Sequence, residues 1–343
     1  MVTRAEVFPP QELPPPEEHL GPLGWIRRNL VDGWFNALLT VLTAAAVVAL
    51  GRVIWRWAVH ARWAVVTDNL RIWMVGLVPH EHLWRAWWAG GLVAAAALLT
   101  AAGVRARVAP RVLAGLWGAT VVAVLWLAAP IRIEQVGGLY LTLLLAVVAI
   151  GASFPLGVLL GMGRVSALPA VRVVCTVYIE VIRGVPLITV LLWFFVFATL
   201  VSGDVLTKVH RAMIAMTVFS AAYVGEIMRG GILSVPRGQR EAARALGLSG
   251  WQAMAYVVLP QAFKNMIPAL VGHFISLFKD TSLTVIIGLT ELVGIGRALL
   301  GVTAYLHDVR EVYVFLLVVY FVFSYLMSAG SRALERRLGL GER

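Results

Sequence analysis

GGLYLTLLLAVVAIGASFPLGVLLGMG, residues 137–163, runs for 27 residues without a charged side chain. The apolar core of a bilayer, about 30 Å thick, needs roughly 20 such residues at the helical rise, so this stretch is long enough to cross with some tilt. Glu134 and Arg164 close it off on either side. The pattern repeats outward in both directions. Gly33 to Gly51, Ala86 to Val104, Val112 to Ile131, Gly184 to Gly203 and Val312 to Ser331 are also uncharged. Two further runs are interrupted: Ala212 to Gly225 is short and extends to Glu226, and Asn265 to Thr290 is broken by Lys279 and Asp280. The expected count is about eight spans. Lipid offers no hydrogen bonds to a bare backbone, so each span is helical and the fold class is all-α, a polytopic helical membrane protein.

Composition agrees. Of 343 residues, 60% are hydrophobic and 14% charged, with a mean hydropathy of +0.84. A soluble domain of this length needs more charge than that to cover its surface. The net charge of +11 does not mark a nucleic-acid binder, because the arginines are spread between apolar runs rather than gathered in one basic domain. The one cysteine, Cys175, excludes an internal disulfide. Residues 1–30, rich in Pro and Glu, read as a disordered tail and lack the layout of a signal peptide.

Arg and Lys in short connections set orientation. Residues 228–264 hold Arg229, Arg237, Arg240, Arg244 and Lys264 against Glu241, which puts this loop in the cytoplasm. Arg332, Arg336 and Arg337 fall on the same side, as do Arg164 with Arg172 and the cluster Arg105, Arg107 and Arg111. An even number of spans then places both termini inside, in keeping with Arg27 and Arg28. Residues 52–85 dissent, with Arg52, Arg56, Arg62, Arg71 and Arg85 on the outer side. Trp55, Trp57, Trp63, Trp73 and Trp84 suit a segment lying in the membrane interface.

The cytoplasmic loop contains GQREAARALGLSGWQAMAYVVLPQA, residues 238–262. It reads as two short helices with a break. Glu241 and Arg244 share one face, while Ala242, Ala245 and Leu246 form a face that permits close approach. Gly247 is placed to end the first helix in a left-handed turn. Ser249 and Gln252 have capping-box spacing for the next, and Pro260 is expected to redirect the chain into the following span. A compact surface of this kind suits docking in another protein's cleft.

The segment resembles the EAA loop of binding-protein-dependent ATP-binding-cassette importers. It opens at Gly238 and runs through Glu241, Ala242, Ala243, then Gly247, Val257, Leu259 and Pro260. Val257 stands where the family usually has Ile. YIEVIRGVPLI (178–188), AAYVGEIMRGGILSVPRGQREAARALGLS (221–249) and LFKDTSLTVIIGLTEL (277–292) are similar to the polar-amino-acid permeases. The likeness covers roughly 134–337. It implies a five-helix type I importer core over 131–337, with the coupling loop at 238–260 and an N-terminal extension of about three spans over 31–130. That extension looks like the M-type subunits of general L-amino-acid importers. The resemblance also implies the partners: a cytoplasmic ATPase dimer that holds ATP and Mg, a second identical or homologous permease, and an extracytoplasmic amino-acid-binding protein. It implies an inner-membrane location.

The chain itself is not expected to be an enzyme or to hold a cofactor. Its lysines, Lys208, Lys264 and Lys279, sit in no phosphate-cradling loop. The competing class is a secondary transporter or channel driven by an ion gradient, which would have no use for the coupling loop. Candidates for the translocation path are Glu180 and Arg183, three apart and placed to pair, and Lys279, Asp280, Thr281 and Ser282, since charges inside a span cost at least a few kcal/mol unless they face a cavity. The alternative for each group is an ion pair that only orients helices. Glu226 with Arg229 reads as an ion pair ending its span, with Gly230–Gly231 as a joint, and His273 as a hydrogen-bonded packing residue. His80 and His82 are two apart, which does not set both rings on one helical face for a metal.

Overall fold

The computed structural model describes residues 25–26, 29–106, 108–203 and 205–337, with Gly21 and Gly339. The tail expected at 1–30, including Arg27 and Arg28, lies almost wholly outside these residues, as does Arg107. Helix accounts for 84% of the structure, and no strand is present among the described residues. Among the described residues, six helices are long and apolar enough to cross a membrane, or seven if one bent pair counts as a single span.

The chain divides into two compact units after Ala61, whereas the family resemblance sets the edge of the N-terminal extension near 130. In the first unit, α1 (Gly33–His60) is apolar along its length and has no buried residue, as expected of a span whose neighbours are lipid or another subunit. It runs nine residues beyond the uncharged stretch, so Arg52 and Arg56 belong to the helix rather than to a loop.

The second unit begins with α2 (Ala64–Thr67) and α3 (Leu70–Val75), followed by α4 (Leu83–Arg105), α5 (Pro110–Ala128) and α6 (Gly138–Arg164). α4, at 23 residues, is roughly 34 Å long and coincides with the second expected span. α7 (Pro169–Arg183) and α8 (Leu187–Ser202) form the bent pair, turned by 103° across Gly184–Pro186. The cause is local: Pro186 lacks an N–H and disfavours α geometry in the residue before it. The remaining helices are α9 (Lys208–Leu233), α10 (Arg237–Ala245), α11 (Leu259–Asp280), α12 (Leu292–Leu300) and α13 (Val309–Arg337).

α9 is the axis of this unit. In its apolar window 72% of residues are buried, against 11–28% in the other spans of the unit. α6 lies along it, and small residues let the backbones approach. A Cβ on Gly161 would sit 2.6 Å from the Gly225 carbonyl oxygen and 2.6 Å from Met228 Cβ. The Ser153 and Ser220 hydroxyls bond at 2.9 Å across the same seam. Ser220 also reaches His273 Nε2 at 2.9 Å, and that ring stacks on Tyr223. His273 is therefore a hydrogen-bonded packing residue in this structure.

From Arg62 onward, the dissenting segment is packed into the second unit. Trp73 is fully buried rather than interfacial: its indole donates to the Val65 carbonyl at 3.1 Å, and its ring meets Phe315 edge-on. With Val65 and Val66 it seals against Leu292, Ile295 and Val312 of α12 and α13. Gly137 N–H donates to Val75 O at 3.2 Å and Gly138 N–H to Thr290 O at 2.8 Å, so this segment, α6 and the α11–α12 connection share backbone bonds. Arg62 pairs with the buried Asp308 at 2.8 Å, and Arg71 contacts His80.

Candidate functional site

At the end of the bundle where α9 meets α10 and α11, residues 236–260 form a knuckle. Two local devices shape it. α10 ends in a Schellman motif: Gly247 sits at φ +79°, its N–H donates to Arg244 O at 2.9 Å, and the Leu248 N–H donates to Ala243 O at 3.1 Å. Ser249 and Gln252 then form a reciprocal capping box, with N–H donations of 3.3 and 2.9 Å. Both devices match the spacing read from the sequence.

The second helix of the loop departs from expectation. The turn Gly250–Gln252 continues through a π-helical segment, Ala253–Val258, directly into α11. Pro260 lies in the first turn of α11, where a missing N–H costs least, and does not redirect the chain. The wider π turn absorbs it, so the second half of the knuckle and α11 form one continuous helix.

The knuckle is keyed to its supports. Ala243, Ala253 and Val258 are buried, and Val258 packs with Met228, Ile232 and Met266. Arg240 donates to Ile232 O at 2.9 Å, and Asn265 donates to Ser234 Oγ at 2.9 Å. A Cβ on Gly231 would lie 2.9 Å from Ala262 O, so this glycine serves close contact inside α9, which runs on to Leu233. Gly238, Glu241, Ala242, Gly247 and Pro260 are exposed, Leu259 is half-buried, and Ala243 alone of the motif points inward. Leu246, Trp251 and Tyr256 project with 82%, 67% and 73% exposure, an apolar tip on an otherwise polar loop. The last two were legible only as aromatic residues in a cytoplasmic loop.

Behind the knuckle lies a charge network. Arg229 forms a bidentate pair with Glu226, at 2.6 and 3.0 Å. Arg164 of α6 bonds the same carboxylate at 2.6 Å, and Arg183 of α7 approaches it at 3.8 Å. Glu180 pairs with Arg164. The expected Glu180–Arg183 pairing is thus replaced, because α6 and α9 bring better-placed partners than a neighbour on the same helix. Glu226 sits inside α9, so its pair with Arg229 does not end a span. Neutralising Glu226 leaves three guanidiniums sharing one exposed carboxylate. Glu226→Gln is expected to destabilise the subunit by about 2–3 kcal/mol, below the 3–5 of a fully buried pair, since Glu226 is 23% exposed. Glu180→Gln, at a residue 57% exposed, is expected to cost about 1 kcal/mol or less. Melting of the purified variants checks this, and equal losses would contradict the hub role of Glu226.

Lys279 and Asp280 lie where α11 gives way to a 3-10 helix, Thr281–Ile287. Lys279 is exposed, Asp280 and Ser282 half-buried, and Thr281 fully buried with its hydroxyl donating to Phe278 O at 2.7 Å. Two cavities in this unit, of about 500 and 300 Å³, are lined by other residues. The buried carboxylates Glu291, Asp308 and Glu311 escaped the sequence reading. Glu291 caps α12, accepting from the Val293 and Gly294 N–H groups at 2.8 and 2.9 Å and from Tyr320 at 3.3 Å. It lies between spans, and burial pushes its carboxyl up to about 7 against those backbone donors. An acid directly before an apolar run with two early glycines was the available signal. Among the described residues no cluster is fit to hold a metal.

A bundle of apolar helices whose central helix and a neighbouring span are tied to an exposed, apolar-tipped loop is the architecture of a polytopic helical membrane protein. The comparisons place it further. Residues 153–340 match the family described as "binding-protein-dependent transport system inner membrane component". The chain is 36% identical to the inner membrane amino-acid ABC transporter permease protein YhdY of Escherichia coli K12, over 92% of this chain and 93% of that protein. It is 32% identical to the glutamate/glutamine/aspartate/asparagine transport system permease protein BztC of Rhodobacter capsulatus, over 98% and 97%. A crystal structure of an amino acid ABC transporter with histidines aligns with a TM-score of 0.54 at 34% identity, over 58% of this chain and 92% of that one. The chain belongs to the binding-protein-dependent importer permeases and is a multi-pass inner-membrane permease subunit of an ABC importer.

Proposed function

We propose that this chain translocates polar or general L-amino acids inward, with energy from a cytoplasmic ATPase dimer that grips the 238–260 loop. The observation that carries the reading is the knuckle: solvent-facing at Leu246, Trp251 and Tyr256, yet tied by Arg240 and Asn265 to the helix ends it would move. A displacement imposed there passes to α9 and α11 without slack, and the ATPase states shift the equilibrium only through their differential contact with the loop. ATP and Mg are held by the partner, and this chain needs no cofactor. A second permease, identical or homologous, completes the path, and an extracytoplasmic amino-acid-binding protein supplies the solute. The loop faces the cytoplasm, as do both termini.

Within the path, Glu180 and Arg183 flank the charge network at the inner end, where breaking the contacts around Glu226 would accompany opening. Lys279, Asp280 and Ser282 face the second permease and offer charges of both signs to a zwitterion, while Thr281 holds their turn. The relatives named for amino acids, and glutamate or glutamine in particular, support this solute class. The test is uptake of labelled glutamine into vesicles holding the complete complex. Uptake is expected to require ATP on the loop side and to survive ionophores that collapse ion gradients. Uptake that follows an ion gradient in the absence of the ATPase would instead identify a secondary transporter.

A further inference from the structure

The cavity of about 500 Å³ lies at the end of the bundle opposite the knuckle, between the start of α6, the start of α9 and the Gly288–Thr290 connection. Its wall includes Lys208 and Arg211, one helical turn apart on α9, and Thr207, Thr290 and Glu134 line it as well. Arg211 is unusual. It is only 6% exposed, yet its hydrogen bonds go to neutral groups, the Gly203 carbonyl at 2.7 Å and the Thr199 hydroxyl. Its Nε is buried with no hydrogen-bond partner among the described residues. No carboxylate pairs with it among the described residues; Asp204, nearby in the chain, lies outside them.

A guanidinium withdrawn from water costs several kcal/mol unless an anion compensates, and buried cations are otherwise paired. Arginine's planar fork is matched to a carboxylate, and the two Nη atoms of Arg211 are held by Thr199 and Gly203 rather than by one. Lys208 adds a second positive charge on the same wall, its ammonium 6.0 Å from the Phe195 ring centre. Glu134 brings the opposite charge. Two cations and a carboxylate lining one cavity of this size match a zwitterion, and the volume falls in the range of small-molecule sites.

We propose that this cavity is a receiving site for the solute's α-carboxylate, bound by Arg211 and Lys208, with the α-ammonium directed to Glu134. It rests on the reading that the chain carries amino acids and that this end faces away from the cytoplasm. The site takes the amino acid on release from the binding protein, before the path along α9 opens. It selects for a free carboxylate independently of the side chain.

The test measures binding of labelled L-glutamine to the complete permease–ATPase complex in nanodiscs, without binding protein, with glutamine α-amide as competitor. Wild type is expected to bind glutamine and to be displaced by unlabelled glutamine but not by the α-amide. Arg211→Met is expected to weaken binding roughly tenfold or more, one lost charge-assisted contact, and to erase that preference, while Arg211→Lys retains part of it. Asp204→Asn is expected to leave both properties in place. A wild-type complex that does not distinguish the α-amide overturns the proposal, as does an Arg211→Met complex that still does. Equal loss of melting temperature and binding in Arg211→Met, Arg211→Lys and Asp204→Asn would mean an internal ion pair, and overturns it too. ATP-driven uptake measured in parallel keeps the outcomes apart: intact wild-type uptake with no carboxylate preference here rejects this site and leaves the importer function standing.

Discussion

Glu241→Arg is expected to abolish ATP-coupled uptake, by a hundredfold or more on the scale of a lost buried interfacial charge contact, while the subunit inserts and melts as wild type does. Glu241 is exposed on α10, and no ion pair to it is present among the described residues. Changing it therefore disturbs nothing that holds the subunit together, and exposed substitutions of this kind usually stay within about 0.5 kcal/mol. Its surroundings make it distinctive. Arg237, Arg240 and Arg244 share the same nine-residue helix, where Glu241 is the single acid. Reversal leaves four positive charges on the surface offered to the ATPase, and like charges brought together on docking cost several kcal/mol. Uptake assays, with subunit stoichiometry measured alongside, decide the matter. Normal uptake at normal stoichiometry would remove the loop from its role as handle.

Gly161→Leu is expected to abolish the folded subunit, seen as loss of the monodisperse peak in size exclusion. The physical reason is the 2.6 Å approach of any Cβ there to the Gly225 carbonyl and Met228, on a central helix that has no room to retreat. Overpacking a closed seam typically costs about 1–3 kcal/mol when the neighbours relax, and more when the obstacle is backbone. Gly151 supplies the control. It lies on α6 with nothing within 4 Å of its added Cβ, so Gly151→Leu should leave the peak unchanged. Loss of the peak in both variants would point to a helix-propensity or insertion effect rather than to the α6–α9 contact.

The features readable from the chain were those set within a few residues. Uncharged runs fell on helices because lipid demands internal hydrogen bonds over each span, a condition met or failed locally. The knuckle's punctuation at Gly247 and at Ser249 with Gln252 was legible for the same reason, since each device closes within three to five residues.

Tertiary structure alone decided the rest. Glu180 had an arginine three residues away on its own helix, yet Arg164, sixteen residues distant, took it. Trp73 matched its interfacial neighbours in composition, and only the approach of α12 and α13 made it core. Arg211 sat at the edge of an apolar run like any other flanking arginine, and its burial without a carboxylate partner among the described residues emerged only when α8 and α9 came together. Sequence spacing specifies what a helix presents on each face. Which face meets which is settled by packing between helices distant in the chain, where small residues permit contact and large ones forbid it.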